Sequence, residues 1–206
     1  MYISPNISNR RIFTFLLIIP CILTAFTHLW NVIEFPMGSN NDEGIYIRRA
    51  MHVASGQGPQ EFDLYDHPYF GQLFLGSILA SIGYPNSLNP SVGDVHSIEM
   101  LYLVPRILVG ILAVADTFLI YNISEVRYNN RKVAFIASIL FAVMPITSCW
   151  LLRRIWLEPI QLPFLLASIR LQYITQQVIR KKQKAILRIT ITLTKRFYLL
   201  YFLVFF

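Results

Sequence analysis

Three stretches of the 206-residue chain hold residue types that suit chemistry. In Asn40-Asn41-Asp42-Glu43-Gly44 two carboxylates stand side by side, just past a long apolar run. Carboxylates take up protons and ligate hard cations, but adjacent ones repel and resist leaving water, so the pair needs a reason. One reason is structural: Asn41 or Asp42 caps a helix over residues 43–54, and a capped carboxylate is also held rigidly. In Tyr65-Asp66-His67-Pro68-Tyr69-Phe70-Gly71-Gln72, His-Pro followed by an aromatic residue and glycine fixes a turn. On those residues alone His67 is an ordinary loop histidine. In Arg153-Arg154-Ile155-Trp156-Leu157-Glu158-Pro159 the charges sit at the edge of an apolar run. There they are costly unless paired or facing water, which makes them functional candidates. Snorkelling of the arginines to a membrane interface is the plainer alternative.

The segments around these residues are apolar. Hydrophobic residues make up 55% of the chain and charged ones 14%, with a mean hydropathy of +0.50. Soluble domains carry about 25% charged residues. So little charge excludes a disordered chain, an acidic tail protein and a solvated helical bundle, and leaves an integral membrane protein. Cys21 and Cys149 both lie inside apolar runs, so neither a disulfide framework nor a zinc site is expected. A pI near 9.6 raises nucleic acid as a partner. The basic residues flank apolar spans rather than line one soluble face, so no nucleic-acid partner is expected. Four or five spans of about 20 residues would nearly exhaust the chain and leave no room for a large soluble domain.

The first run, residues 12–33, is uncharged and follows Arg10 and Arg11. It is too long for a signal peptide and reads as an uncleaved anchor. A polar stretch over 34–70 leads into an apolar piece, 69–84, holding Gly71, Gly76 and Gly83. That piece is short for a span and reads as surface-lying or re-entrant. Residues 85–97 form a loop. A second span covers 98–121, interrupted by Arg106 and Asp116, and a short basic loop covers 124–132. A third span is expected over 133–152 and a fourth apolar run over 155–169. The expected fold is thus all-α: a polytopic membrane bundle of about four spans plus one surface or re-entrant helix.

Orientation follows from charge. If residues 69–84 do not cross, Arg10, Arg11, the 124–132 loop and the Arg180 to Lys184 cluster share the inner side. Asp42, Glu43, Arg153, Arg154 and Glu158 then gather outside, as the positive-inside rule prefers. The expected location is a multi-pass membrane protein with a cytoplasmic N-terminus (the plasma membrane, in a prokaryote). Residues 171–206 stand apart as a basic, atypical tail, strongly polar to Lys184 and, over 189–206, without helical amphipathicity. That tail reads as one more partial span or as the product of a truncated or shifted frame.

The order of these features over residues 12–170 resembles the N-terminal part of the membrane-embedded GT-C glycosyltransferases. Within them it is most similar to the dolichyl-phosphate-mannose protein mannosyltransferases and the lipid A aminoarabinose transferases. The resemblance rests on the Asp42-Glu43 pair opening the first outer loop (34–98) and on the Tyr65 to Gln72 segment. It continues with Arg106 after Pro105, with Pro145 closing a later span, and with Arg154 through Glu158-Pro159. Pro-Tyr stands where the family has Pro-Pro, Gln72 where Lys is usual, and Glu158 where Asp is commoner. Family members are also far longer.

The resemblance implies a donor sugar on a polyprenyl phosphate and an acceptor hydroxyl on a protein or lipid, on the extracytoplasmic side. Asp42 would be the general base, with Glu43 and Glu158 assisting. Arg153 or Arg154, with His67 a second choice, would stabilise the leaving lipid phosphate. Asp42 and Glu158 are also the candidate ligands of a divalent metal, Mg or Mn, since metal dependence varies across the superfamily. The competing readings are an inactive, truncated remnant, a non-catalytic membrane protein, or a transporter fragment, which Asp116 in mid-span would favour.

Overall fold

A computed structural model describes residues 7–32, 34, 41–58, 69–144 and 153–205, with side chains described within Phe15 to Gln183. Among the described residues the chain has six α-helices and no strand: α1 (Ile7–Leu29), α2 (Asn41–Ala54), α3 (Tyr69–Ser81), α4 (Val95–Tyr128), α5 (Arg131–Val143) and α6 (Leu157–Phe205). A single 3₁₀ turn, Pro90–Val92, precedes α4. Two compact units are present, Met1–Ala167 and Ser168–Phe206. The first holds α1 to α5 and the opening of α6; the second is the remainder of α6.

Helix ends differ from the sequence expectation: α1 runs Ile7–Leu29 rather than over 12–33, and α4 and α5 end elsewhere for local reasons. α4 does not stop at residue 121 but continues to Tyr128. The polar residues from Ser124 mark a change of surroundings, whereas a helix ends only where the backbone is capped. Asn129 supplies that end in the left-handed region (φ 50°). Asn130 then caps α5, its side chain accepting from the amides of Lys132 (2.9 Å) and Val133 (3.4 Å). The expected 124–132 loop is thus two asparagines.

α5 runs only to Val143, because Met144 precedes Pro145 and takes the extended conformation that residues before proline favour. Its 13 residues make about 20 Å of helix, short of the roughly 30 Å of a bilayer core. The rest of the expected third span, residues 145–152, lies outside the described residues. The tail is helical to Phe205.

The other elements follow the expectation closely. α2 starts at Asn41 with Asp42 and Glu43 in its first turn, where acids favour the helix dipole. α3, at 13 residues, has the shortness expected of a piece that does not span. Asp94 caps α4, and the Ser97 hydroxyl beside it, with the Ser97 and His96 amides, holds its carboxyl below the usual range.

One helix, α4, is long and apolar enough to cross a membrane among the described residues. It packs against α5, and α1 packs on both. Gly110 lets α1 approach: a methyl there would run into the Leu29 side chain. The interior of this three-helix group mixes small apolar and polar side chains, and many of its large apolar residues face outward. Thr24, His28, Asp116, Thr117 and Ser138 are buried, while Phe15, Ile18, Ile22, Phe26, Ile111, Phe118, Ile136 and Leu140 are exposed. The Thr24 and Thr117 hydroxyls share a hydrogen bond of 2.7 Å, and the Thr27 hydroxyl donates to the Ala142 carbonyl at 3.1 Å.

A second cluster sits over the start of α4. Tyr46, Ile47 and Ala50 of α2 meet Leu75 and Leu79 of α3, Leu101 of α4, and Ile155, Leu157 and Ile160 at the head of α6. Gly76 brings α2 and α3 together, its Cα facing Val53 and the Ala50 carbonyl. This cluster positions the candidate site.

Candidate functional site

Glu43 is the centre of the polar structure at this end of the molecule. Its phase on α2 matches Tyr46, Ile47 and Ala50, so the amphipathic face that builds the apolar cluster also turns Glu43 inward. The side chain is 0% exposed. Arg106 grips it with both arms of the guanidinium, Nε donating to Oε1 at 3.1 Å and Nη2 to Oε2 at 2.8 Å. The Ile155 amide donates to the same Oε1 at 2.9 Å. Arg106 uses its remaining arm, Nη1, on the Val32 carbonyl at 3.2 Å, and stacks over the Tyr102 ring one turn earlier at 5.9 Å. Arg153 Nη2 donates to the Trp30 carbonyl.

Each of these bonds has a local cause. The carbonyls at and beyond the C-terminal end of α1 lack intrahelical donors, and cations suit that pole of the helix dipole. Arg106 and Arg153 provide both. An arginine inside a long apolar helix in turn needs a carboxylate, and α2 presents Glu43 to it. One carboxylate thereby joins α1, α2, α4 and the segment leading into α6, regions separated by up to 112 positions in sequence.

The candidates from sequence divide accordingly. Glu43 is fully committed to Arg106 and Ile155, so its geometry is that of a positioning group. Asp42, one residue earlier, is exposed at the mouth of α2. Glu158 is exposed in the first turn of α6 and makes no ion pair among the described residues. The spacing allowed a local Arg154–Glu158 pair on the premise of a helix opening near Arg154; α6 opens at Leu157 instead. Arg153 and Arg154 are buried, 4% and 8% exposed. His67 lies outside the described residues. The contact between Glu43 and Ile155 brings the Asp42 and Glu158 segments to the same end of the bundle.

Two residues outside the sequence candidates share this region. Arg49 of α2 is buried, and Gln72 of α3 is buried with its carbonyl oxygen unpartnered among the described residues. Gln72 was visible in the sequence only as a departure from a motif. Asp116, 0% exposed with both oxygens unpartnered among the described residues, belongs elsewhere. It lies ten residues along α4 from Arg106, about 15 Å away.

Asp42 and Glu158 are the pair expected from the sequence for a divalent metal. Both are exposed, and among the described residues no three His, Cys, Asp or Glu side chains gather closely enough to hold an ion. Cations of the Mg type are commonly held by one or two carboxylates together with water and substrate phosphates; no chemical step is assigned to a metal. In comparisons with known proteins, no family model, no curated protein and no solved structure matches this chain.

Proposed function

We propose that the chain is a membrane-embedded glycosyltransferase of the GT-C kind, or the N-terminal portion of one. It moves a sugar from a polyprenyl phosphate to a protein or lipid hydroxyl on the extracytoplasmic face. The observation that carries this reading is the Glu43–Arg106–Ile155 junction. It gathers three of the sequence features on which the resemblance rests, the acid pair, the arginine after Pro105 and the Arg-to-Glu158 segment, at one end of the bundle. The exposed apolar belt of α1, α4 and α5 around a polar interior supports placement in a bilayer.

In this proposal each group keeps one job. Asp42 takes the proton of the acceptor hydroxyl as that oxygen bonds to the sugar C1; the C1–phosphate bond breaks and polyprenyl phosphate leaves. Glu43 does not touch substrate; it fixes the first turn of α2 and with it Asp42. Arg153 and Arg154, both buried and next in sequence to Ile155, whose amide binds Glu43, supply the positive charge a phosphate requires. Glu158 faces the same solvent-exposed end and orients the acceptor.

Donor recognition is the direct test. Membranes holding the chain are exposed to a radiolabelled sugar-phosphoryl polyprenol with a photoreactive prenyl chain. Saturable labelling, competed by unlabelled polyprenyl phosphate, is expected. Labelling that excess polyprenyl phosphate does not reduce would remove this reading.

A further inference from the structure

The unit Ser168–Phe206 carries a charge distribution unlike the rest of the molecule. From Arg170 to Phe206 there are eight Lys and Arg and no acid, whereas the remaining ten Lys and Arg are outnumbered by all eleven acids. The chain's net charge of +7 therefore originates in this helix. Its described side chains show a pattern to match. Leu171, Ile174 and Val178 recur at helical spacing and form an exposed apolar strip on one side, with Ile179 at its border. Gln172, Gln176 and Arg180 occupy the other side. Lys182, exposed, continues the apolar row by one turn, and Arg180, Lys181, Lys182 and Lys184 crowd into little more than one turn.

A polar helix with an exposed apolar strip and uniformly positive ends has the physical make-up of an interfacial segment. Its apolar face enters the headgroup boundary while its cations meet anionic phosphates. We propose that this segment, residues 168–188, lies on the bilayer surface and reads anionic phospholipid headgroups. The proposal rests on the membrane reading above but not on the glycosyltransferase reading. Charge complementarity selects the occupant: an uncharged surface would satisfy the apolar strip and leave the basic cluster unused. Near an anionic membrane each cation shifts the docked-to-undocked ratio about fivefold.

The test uses the full chain with Cys21 and Cys149 replaced by serine and one cysteine placed at Ile174, labelled with an environment-sensitive fluorophore. It is reconstituted into vesicles of phosphatidylcholine alone or with one third phosphatidylglycerol. In the anionic vesicles the emission should shift to the blue and be quenched by lipid-borne nitroxide. High salt, or changing Arg180, Lys181, Lys182 and Lys184 together to glutamine, should abolish both effects. Equal emission in the two lipids would overturn the proposal, as burial against a second copy or plain apolar partitioning would produce. A blue shift elicited in neutral vesicles by an added RNA oligonucleotide would assign the cations to nucleic acid and overturn it too. Release of the chain by alkaline carbonate would overturn this proposal and the membrane reading together, while retention with lipid-independent emission would sink this one alone.

Discussion

Asp42 and Glu43 are neighbours in sequence with opposite fates, and helical phase decides between them. Glu43 shares a face with Tyr46, Ile47 and Ala50 and goes inside to meet Arg106; Asp42 stays at the surface. The spacing of 43, 46, 47 and 50 was present in the sequence, so the inward turn of Glu43 was legible from amphipathicity alone. The identity of its partners was not, since Arg106 and Ile155 are distant in the chain. Removing one member of such a pair strands the other in a dry site. Glu43→Gln and Arg106→Leu are therefore each expected to cost about 3–5 kcal/mol, read as a drop in thermal unfolding temperature in detergent. The combined Glu43→Gln, Arg106→Met variant should recover part of the loss. Single variants as stable as the parent would mean that the junction does not hold the helices together.

At the scale of elements, the helices that were legible are those whose boundaries coincide with local signals. α2 begins where the acids cluster, and α3 ends just before Gly83, which takes a positive φ. Boundaries drawn from polarity alone were misplaced. Ser124 to Tyr128 are polar yet helical, and the end of α5 is set by Pro145 rather than by hydropathy. The tail is helical although its sequence mixes β-branched and aromatic residues, because no proline or glycine interrupts it after Pro163. Packing between elements gives a graded prediction. At Gly76 an added methyl meets the stiff Val53 side chain and the Ala50 carbonyl; at Gly110 it meets the flexible end of Leu29. Gly76→Ala should thus cost about 1–3 kcal/mol in an unfolding measurement, and Gly110→Ala clearly less. The reverse order would show that α2 and α3 are packed more loosely than described.

For the whole molecule, the distribution of polarity is the strongest link between sequence and setting. Composition already pointed to a bilayer, and the structure arranges the same residues with isoleucine and phenylalanine outward and threonine, histidine and aspartate inward in α1, α4 and α5. From Arg106 to Asn129, α4 covers about 35 Å, close to one hydrocarbon thickness. The junction and the Asn129–Asn130 link are thereby expected on opposite sides. In a chain whose native cysteines are replaced, single cysteines at Asn89 and Asn129 should be modified by an impermeant thiol reagent from opposite faces of sealed vesicles. Modification of both from one face would end this topology.

Asp42 carries the proposed chemistry. Asparagine at this position is nearly isosteric and keeps its place in the first turn of α2, so insertion and folding should not change. The measurement is sugar transfer from a radiolabelled polyprenyl-phosphate donor by membranes holding the chain, the parent and Asp42→Asn compared at equal expression. Loss of a general base costs about 10²–10⁴-fold in rate, and a fall of that size is expected. Transfer by Asp42→Asn within a few-fold of the parent, or none above empty membranes by the parent itself, would contradict the account.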